Sequence, residues 1–211
     1  MNVIQNGYTV KFRSRSGNTV ESARYFPKQG EYFLFMMYTG IRCGEAVSLC
    51  YSSVNFDKCT IDICQNAVNT KCRDKNGKAT GKRNRKMATP KTKSSKKSIT
   101  VNPYAIEILR SMLAKEPEGY DGYIVHNGNH KAISCKTLWQ RLNKLLKGAG
   151  LEGRGVHTLR HTCATLLYAQ SGGDAKFVCT QLRQSDPGFT TKTYIHQFQQ
   201  RTTDILQNFR I

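Results

Sequence analysis

The pattern of hydrophobic and polar positions predicts several helices. An uninterrupted apolar run at 32–37 is long enough for a buried helix, and Gly40 allows a break before a second helix that carries Arg42. Further along, Pro103 starts a helix whose apolar residues recur on one side, and Ser134 starts another that ends near two glycines. These segments predict a helical framework for much of the chain.

Strands are predicted on both sides of a strongly polar segment. Residues 8–12 have strand character within a polar amino-terminal stretch, residues 55–65 alternate, and residues 98–101 resume strand character. Between the last two, Gly77 and Gly81 indicate a flexible loop. We therefore predict a small antiparallel sheet with an enlarged loop, and a fold class that is mainly α with a small antiparallel β-sheet (α+β).

The helix predicted from residue 157 onward has two different faces. On a helical wheel, one face holds Leu159, Cys163, Leu166 and Leu167, and the other holds His157, Arg160, His161 and Ala164. We expect the second face to point away from the core, into a cleft or toward a ligand. The spacing of His157 and His161 fits a metal, but Thr158 stands where a zinc protease helix has glutamate, so no metal is predicted here.

Charge indicates a polyanionic partner. The 33 Lys and Arg residues outnumber the 14 Asp and Glu residues, which gives a formal charge of +19 on 211 residues. Twelve of the basic residues fall between Lys71 and Lys97, with Asp74 the one acid among them. Such a run favours contact with a nucleic acid backbone, and the alternative is a solvated loop with no partner.

Length and cysteine usage limit the class of protein. One main domain is expected, no apolar run is long enough to cross a bilayer, and the amino terminus has no cleavable signal pattern, so we predict a cytoplasmic protein. The eight cysteines include no Cys-x-x-Cys pair and are interpreted as reduced thiols. A zinc site formed by Cys59, Cys64 and Cys72 fits no common ligand spacing.

Three short motifs carry residues suited to phosphate chemistry. They are TGIRCGE at 39–45, HTLRH at 157–161 and TTKTYIH at 190–196. In this order and spacing they resemble the tyrosine recombinase (phage integrase) family over roughly residues 32–198. The resemblance implies a site-specific DNA recombinase or integrase of a mobile genetic element, which cleaves and rejoins strands through a 3′-phosphotyrosyl intermediate. It implies no metal or nucleotide cofactor.

The resemblance also implies catalytic roles. Arg42 and Arg160 would hold the oxygens of the scissile phosphate, since each guanidinium offers a planar fork of donors that stays charged. Tyr194 would be the nucleophile. His157 would bind the phosphate or relay the proton of the nucleophile.

Supporting and DNA-binding roles follow in the same way. Glu45 would orient Arg42, unless it forms only a surface pair one turn away, and His161 would support the site. Lys93 is predicted as the general acid for the departing 5′ oxygen, with Lys91, Lys96 and Lys97 close enough to compete for that role. The residues predicted to bind DNA are Lys82, Arg83, Arg85, Lys86, Lys91, Lys96 and Lys97.

Two adjacent positions depart from the family pattern. Arg183 stands where the family usually has glycine, and Gln184 stands where it has histidine or tryptophan. Gln184 is predicted as a catalytic residue that donates one hydrogen bond, but its amide carries no charge and cannot act as an acid. A non-catalytic DNA-binding protein with the same fold therefore stays open as an alternative, as does a type IB topoisomerase-like enzyme.

The resemblance divides the chain into three parts. Residues 1–26 are expected to form an amino-terminal arm, residues 27–198 a catalytic domain with a basic loop at 66–97, and residues 199–211 a tail that docks on a neighbouring subunit. The arm is too short for the additional amino-terminal domain that family members usually carry. The partners implied are double-stranded DNA, other recombinase subunits in a tetrameric synapse and accessory DNA-bending proteins, but no membrane. On DNA the protein would be nucleoid-associated.

Overall fold

The computed structural model describes residues 8–13, 19–24, 29–76, 78–88, 97–151 and 153–183. Six α-helices lie within this part of the chain: α1 (Tyr32–Thr39), α2 (Cys43–Ala46), α3 (Pro103–Leu113), α4 (Cys135–Gly148), α5 (Val156–Gln170) and α6 (Ala175–Leu182). The helices predicted at 32–37, from Pro103 and from Ser134 are confirmed. The helix expected after Gly40 is a single turn with Arg42 as its N-cap.

Seven strands are described: β1 (Tyr8–Arg13), β2 (Thr19–Arg24), β3 (Val54–Asn55), β4 (Thr60–Ile63), β5 (Asn66–Arg73), β6 (Ala79–Ala88) and β7 (Lys97–Thr100). They form an antiparallel three-stranded sheet in the order β3-β4-β7 and two separate hairpins, β1-β2 and β5-β6. The predicted fold class, mainly helical with a small antiparallel sheet, is confirmed. The strand predicted at 55–65 is divided into β3 and β4 by a turn.

The prediction of a flexible loop is wrong for most of the basic segment, because β5 and β6 pair over nearly their whole length. A local turn joins them. The backbone amide of Asp74 donates to the carbonyl of Lys78 at 2.9 Å, and its carboxylate accepts from the amides of Asn76 and Lys78. The side chain of Asp74 therefore reinforces the turn, and the ladder of backbone hydrogen bonds continues from it.

The main core lies between α1, the three-stranded sheet, α3 and α4. Tyr32, Phe35, Leu109, Leu138 and Leu142 are almost fully buried in it. A smaller cluster joins α5 to α6 and contains Cys163, Ala164, Val178 and Leu182.

Gly40 lies where the two clusters meet. It has a φ of 60°, and a Cβ atom added to it would lie 2.3 Å from Leu182 Cδ2 and 3.2 Å from Cys163 Sγ. The left-handed backbone and the close approach both favour glycine. The carboxyl ends of α1 and α6 are thereby brought together.

The predicted orientation of α5 is wrong for Arg160. This residue is only 3% exposed, whereas Leu166, which the wheel places on the core face, is 49% exposed. The reason is that α5 packs against both α1 and α6, so the buried surface includes the face that carries Arg160 and Ala164. His157 on the same face is exposed, as predicted.

Candidate active site

Arg160 lies at the carboxyl ends of two helices. Its Nη1 donates to the carbonyl of Gly40, the C-cap of α1, and its Nη2 donates to the carbonyl of Leu182, the last residue of α6, both at 2.6 Å. The last carbonyls of a helix have no partner within the helix and carry its negative dipole end. The charge of the buried guanidinium is thus stabilised by two helix termini.

Arg42 reaches the same end of α6 from a different helix. Its Nη2 donates to the carbonyl of Arg183 at 2.8 Å, next to the carbonyl that Arg160 binds. Its Nη1 donates to Glu45 Oε1 at 3.0 Å, and its backbone amide donates to Glu45 Oε2 at 2.9 Å. The two arginines of the predicted clamp therefore converge. The side chain of Arg42 is 37% exposed, so solvent reaches this part of the cluster.

Arg183 adds a third guanidinium that was not predicted as a site residue. It is the C-cap of α6 with a φ of 54°, the left-handed conformation that explains why glycine is usual there. Its Nη2 donates to Glu45 Oε2 at 2.7 Å, and its side chain is only 8% exposed. Neither Nε nor Nη1 has a hydrogen-bond partner among the described residues. The departure from glycine was the sequence signal that marks this position.

Glu45 holds two of the three arginines together. Its carboxylate is 9% exposed and accepts from Arg42 and Arg183. Burial alone would raise the pKa of this carboxyl, but the charge of Arg183 and the hydrogen bonds and charge of Arg42 outweigh burial and lower the pKa. Glu45 is therefore a buried anion that bonds both Arg42 and Arg183. That it orients Arg42 for a phosphate stays a prediction. We call Arg42, Glu45, Arg160 and Arg183 the arginine cluster.

Two histidines lie one turn apart on α5 beside Arg160. The rings of His157 and His161 are 5.1 Å apart and nearly perpendicular. The pKa of His157 is lowered by partial burial and by the charges of His161, Arg160 and Arg42. A lowered pKa keeps the ring neutral at physiological pH, which leaves one nitrogen able to accept a proton.

Comparison with known proteins decides the family. A model of the phage integrase family matches residues 22–201, most of the chain. The chain belongs to the phage integrase family. The predicted resemblance is thereby confirmed.

Curated relatives extend beyond this chain. The tyrosine recombinase XerC-like protein of Caldanaerobacter subterraneus subsp. tengcongensis is 26% identical over 191 residues, which cover 83% of this chain and 47% of that protein. The tyrosine recombinase XerC of the same organism is 41% identical over 68 residues, 31% of this chain and 19% of that protein. The chain thus spans about half the length of the first of these relatives.

Solved structures of the phage integrase fold superpose on the chain. The Tn1549 transposon integrase, in complex with a circular intermediate DNA, matches with a TM-score of 0.63 at 16% identity over 79% of this chain and 54% of that one. The XerA recombinase matches with a TM-score of 0.58 at 20% identity over 85% of this chain and 57% of that one. At these identities the likeness establishes the fold.

The base of the basic hairpin adjoins the helix that carries Glu45. A Cβ atom on Gly44 would lie 2.7 Å from the carbonyl of Ala67 in β5, and Ser48 Oγ lies 2.9 Å from the carbonyl of Gln65. From the other side, Gln181 Nε2 of α6 donates to the carbonyl of Thr100 in β7 at 2.7 Å. These contacts connect the sheet and the hairpin to the arginine cluster.

The structure brings together part of the predicted site. Arg42, Glu45, Arg160, His157 and His161 lie on α5 or around α2. The predicted residues Lys91, Lys93, Lys96, Gln184 and Tyr194, and the tail 199–211, lie outside the described residues. Of the predicted DNA-binding residues, Lys82, Arg83, Arg85 and Lys86 lie in β6 and Lys97 lies in β7. No helix in the described ranges is long and apolar enough to cross a membrane.

Proposed function

We propose that this protein cleaves and rejoins DNA strands as a site-specific recombinase or integrase. The observation that carries the proposal is the convergence of Arg42, Arg160 and Arg183 at the end of α6. The chain continues from this point into the segment that contains Gln184 and Tyr194. A cluster of guanidiniums suits a phosphate whose negative charge grows in the transition state.

The proposed reaction is a transesterification. The phenolic oxygen of Tyr194 bonds to the phosphorus of a phosphodiester while the bond from phosphorus to the 5′ oxygen breaks. A 3′-phosphotyrosyl link and a 5′ hydroxyl result. His157 accepts the phenolic proton, and Lys93 gives a proton to the departing oxygen. Attack by the 5′ hydroxyl of a partner strand on the phosphotyrosyl bond reverses the step and rejoins the DNA. The proposed reaction uses no metal or nucleotide cofactor.

The role of His157 is supported by its lowered pKa. A neutral imidazole accepts a proton, whereas an imidazolium has no free lone pair. The positive charges of Arg160 and Arg42 contribute to this lowering, after partial burial and the charge of His161. The cluster that would bind the phosphate therefore also keeps His157 ready as a base.

Arg183 has a proposed positioning role. Its ion pair with Glu45 holds the carboxylate that also binds Arg42. Its Nε and Nη1 have no hydrogen-bond partner among the described residues. Arg183 directly precedes Gln184 in the sequence, the position where the family usually has histidine or tryptophan. We infer that the charge of Arg183 compensates in part for the uncharged amide of Gln184.

The hairpin β5-β6 is the proposed DNA-binding element. The backbone register pairs Lys71 with Arg83, and β6 also carries Lys82, Arg85 and Lys86, so basic residues are concentrated on this hairpin. Double-stranded DNA is a polyanion that suits such a concentration of positive charge. The proposed assembly includes other recombinase subunits in a tetrameric synapse and accessory DNA-bending proteins, with the protein in the cytoplasm and nucleoid-associated when bound.

The test is covalent capture of the protein on a nicked suicide substrate, in which the cleaved fragment diffuses away. The wild-type protein should form an adduct that resists denaturant, and Tyr194→Phe should not, because it lacks only the nucleophilic oxygen. Tyr104→Phe is the matched control, since this tyrosine is 65% exposed on α3 and has no proposed role. An adduct in the Tyr194→Phe protein would contradict the assignment.

A DNA-binding protein without catalysis is the second candidate. It is favoured by the deep burial of Arg160, whose two donors to backbone carbonyls are not available to a phosphate in this conformation. This candidate predicts sequence-specific binding with no adduct. A type IB topoisomerase-like enzyme would instead form the adduct and relax supercoiled plasmid DNA without a second site.

A further inference from the structure

A cluster of three potential metal ligands lies between α3 and α4. Glu116 follows the end of α3, and His126 and His130 come from the loop that leads to α4. His126 Nε2 lies 3.1 Å from Glu116 Oε1, and His130 Nε2 lies 3.3 Å from Glu116 Oε2. One ligand atom from each residue lies within 4.8 Å of the others. The cluster shares no residue with the arginine cluster.

The hydrogen bonding of His126 indicates which of its ring nitrogens presents a lone pair to the carboxylate of Glu116. Its Nδ1 contacts the backbone carbonyl of Asn127, and a carbonyl only accepts, so Nδ1 carries a proton. In the neutral ring Nε2 is then an acceptor that faces the acceptor oxygen of Glu116. A metal ion between these two atoms would accept a lone pair from each.

We propose that Glu116, His126 and His130 bind a divalent transition metal ion, with Zn²⁺ as the best match. Two imidazoles and one carboxylate form a common three-ligand zinc set. Ligands at the usual distance from a tetrahedral zinc ion lie about 3.3 Å apart, close to the two nitrogen–oxygen distances here. The bond from His126 Nδ1 to a backbone carbonyl is also the usual outer contact of a metal-binding histidine.

The loop holds both histidines in place before any ion binds. Asn127 Oδ1 accepts from the amides of Asn129 and Lys131, and the backbone of His130 is left-handed with a φ of 57°. Arg141 Nη2 of α4 donates to the carbonyl of His126 at 3.0 Å. Such fixed turns lower the entropic cost of bringing the ligands together.

The surroundings leave room for a fourth ligand. The ring of Tyr120 packs against both histidines, with centroids 5.8 Å from His126 and 4.8 Å from His130. A cavity of about 550 Å³ opens beside the cluster and is lined by His126, His130 and the ion pair of Glu31 with Lys115. Water can therefore complete the coordination. The ion would tie the end of α3 to the loop before α4, a structural role separate from strand cleavage.

The experiment measures zinc affinity of the whole chain by competition with a chromogenic chelator, after treatment with a stronger chelator and dialysis. The wild-type protein should bind one ion that His130→Asn or Glu116→Gln weakens by about a hundredfold or more, since loss of an outer partner alone costs ten- to a hundredfold. Glu118→Gln is the matched control, because Glu118 is exposed two residues away. Bound zinc should also raise the Tm of the wild type and of this control but not of the ligand variants.

Cobalt substitution distinguishes metal binding at this cluster from metal binding by the cysteine thiols. Co²⁺ bound by histidine and carboxylate gives no thiolate charge-transfer band, whereas binding by cysteines does. Equal zinc affinity in the wild type and both ligand variants, or a cobalt spectrum with that band, would overturn the proposal. His130→Asn removes a side chain that is 43% exposed, so a normal circular dichroism spectrum is expected and shows that the variant folds.

Discussion

The arginine cluster and the basic hairpin place positive charge in opposite ways. Arg160 and Arg183 are buried, and each donates to oxygens fixed by the backbone or by Glu45. The hairpin instead repeats basic residues along β6, with the paired position Lys71 opposite Arg83. A buried and oriented guanidinium acts through geometry, whereas a run of charges acts through the number of phosphates that it neutralises.

This difference predicts that the two regions respond to different measurements. Changes in the arginine cluster should alter folding stability and the rate of adduct formation at saturating DNA. Changes in the hairpin should alter DNA affinity and its dependence on salt. The net charge of +19 does not distinguish the arginine cluster from the hairpin, because a basic residue adds the same charge to the total in either region.

The largest effect is expected for Arg160→Ala. The carbonyls of Gly40 and Leu182 would be deprived of charged hydrogen bonds in a buried site, which costs about 3 kcal/mol or more in the free energy of unfolding. Adduct formation should also be abolished. Urea unfolding measures the first effect and the suicide substrate the second.

Arg110→Ala is the control for this prediction. Arg110 Nη2 also donates to a carbonyl, that of Phe56, but the side chain is 55% exposed, so water takes the place of the guanidinium. Its change in unfolding free energy should be within about 0.5 kcal/mol. Equal destabilisation by the Arg110 and Arg160 changes would mean that burial does not determine the contribution of the arginine cluster.

The next effect concerns the hairpin. Changing Lys82, Arg83, Arg85 and Lys86 together to Gln should weaken binding similarly on all DNA sequences and reduce the slope of log affinity against log salt by about 0.9 for each phosphate that is no longer neutralised. The rate at saturating DNA should change little. Filter binding across a salt series gives the slope. An unchanged slope would show that β6 does not contact the backbone of DNA.

A smaller effect is expected for Arg183→Gly, which restores the residue usual in the family. The change removes about 1 kcal/mol of left-handed backbone strain but also breaks the ion pair with Glu45. Adduct formation should slow by about tenfold or more, because Glu45 would lose a partner and hold Arg42 less firmly in position. The pKa of Glu45 should rise, because the charge of Arg183 is the largest cause that lowers it.

A double-mutant cycle with Gln184→His tests whether Arg183 compensates for the missing imidazole. Gln184→His alone should raise the rate with little change in DNA affinity, since the gain is confined to the transition state. In that background Arg183→Gly should cost less than in the wild type. Additive effects would show that the two positions act independently.

The sequence predicted elements whose signals are local. Pro103 and Ser134 were predicted to start helices, and α3 begins at Pro103 while Ser134 accepts from the amide of Thr137 at the start of α4. The hairpin was missed because β5 and β6 lack the alternation that marks a half-buried strand.

Long-range partners were not predictable in the same way. Arg160 is buried because it bonds carbonyls that are 120 and 22 residues away, and no wheel includes them. The ligands Glu116, His126 and His130 were missed because they meet through a loop and not at a helical spacing. Arg42 and Arg160 were predicted to act together because the order of their motifs resembles a family. Such a resemblance carries information on long-range contacts that local patterns lack.

The smallest effect concerns the protonation of His157. Its pKa lies below the ordinary value of 6.5, so the folded protein takes up this proton at lower pH than the unfolded chain does. In the window between the two pKa values the unfolded state binds more protons, so the contribution of His157 to stability is full above pH 6.5 and falls as the pH is lowered through this window. The rate of adduct formation should accordingly hold as the pH falls through 6.5 and decline only below it.

NMR titration of the His157 ring gives its pKa directly, and His161→Gln should raise the pKa of His157 by removing one neighbouring charge. A pKa at or above 6.5 in the wild type would show that neither partial burial nor the arginine cluster controls this ring, and the base assigned to the reaction would have to be sought elsewhere.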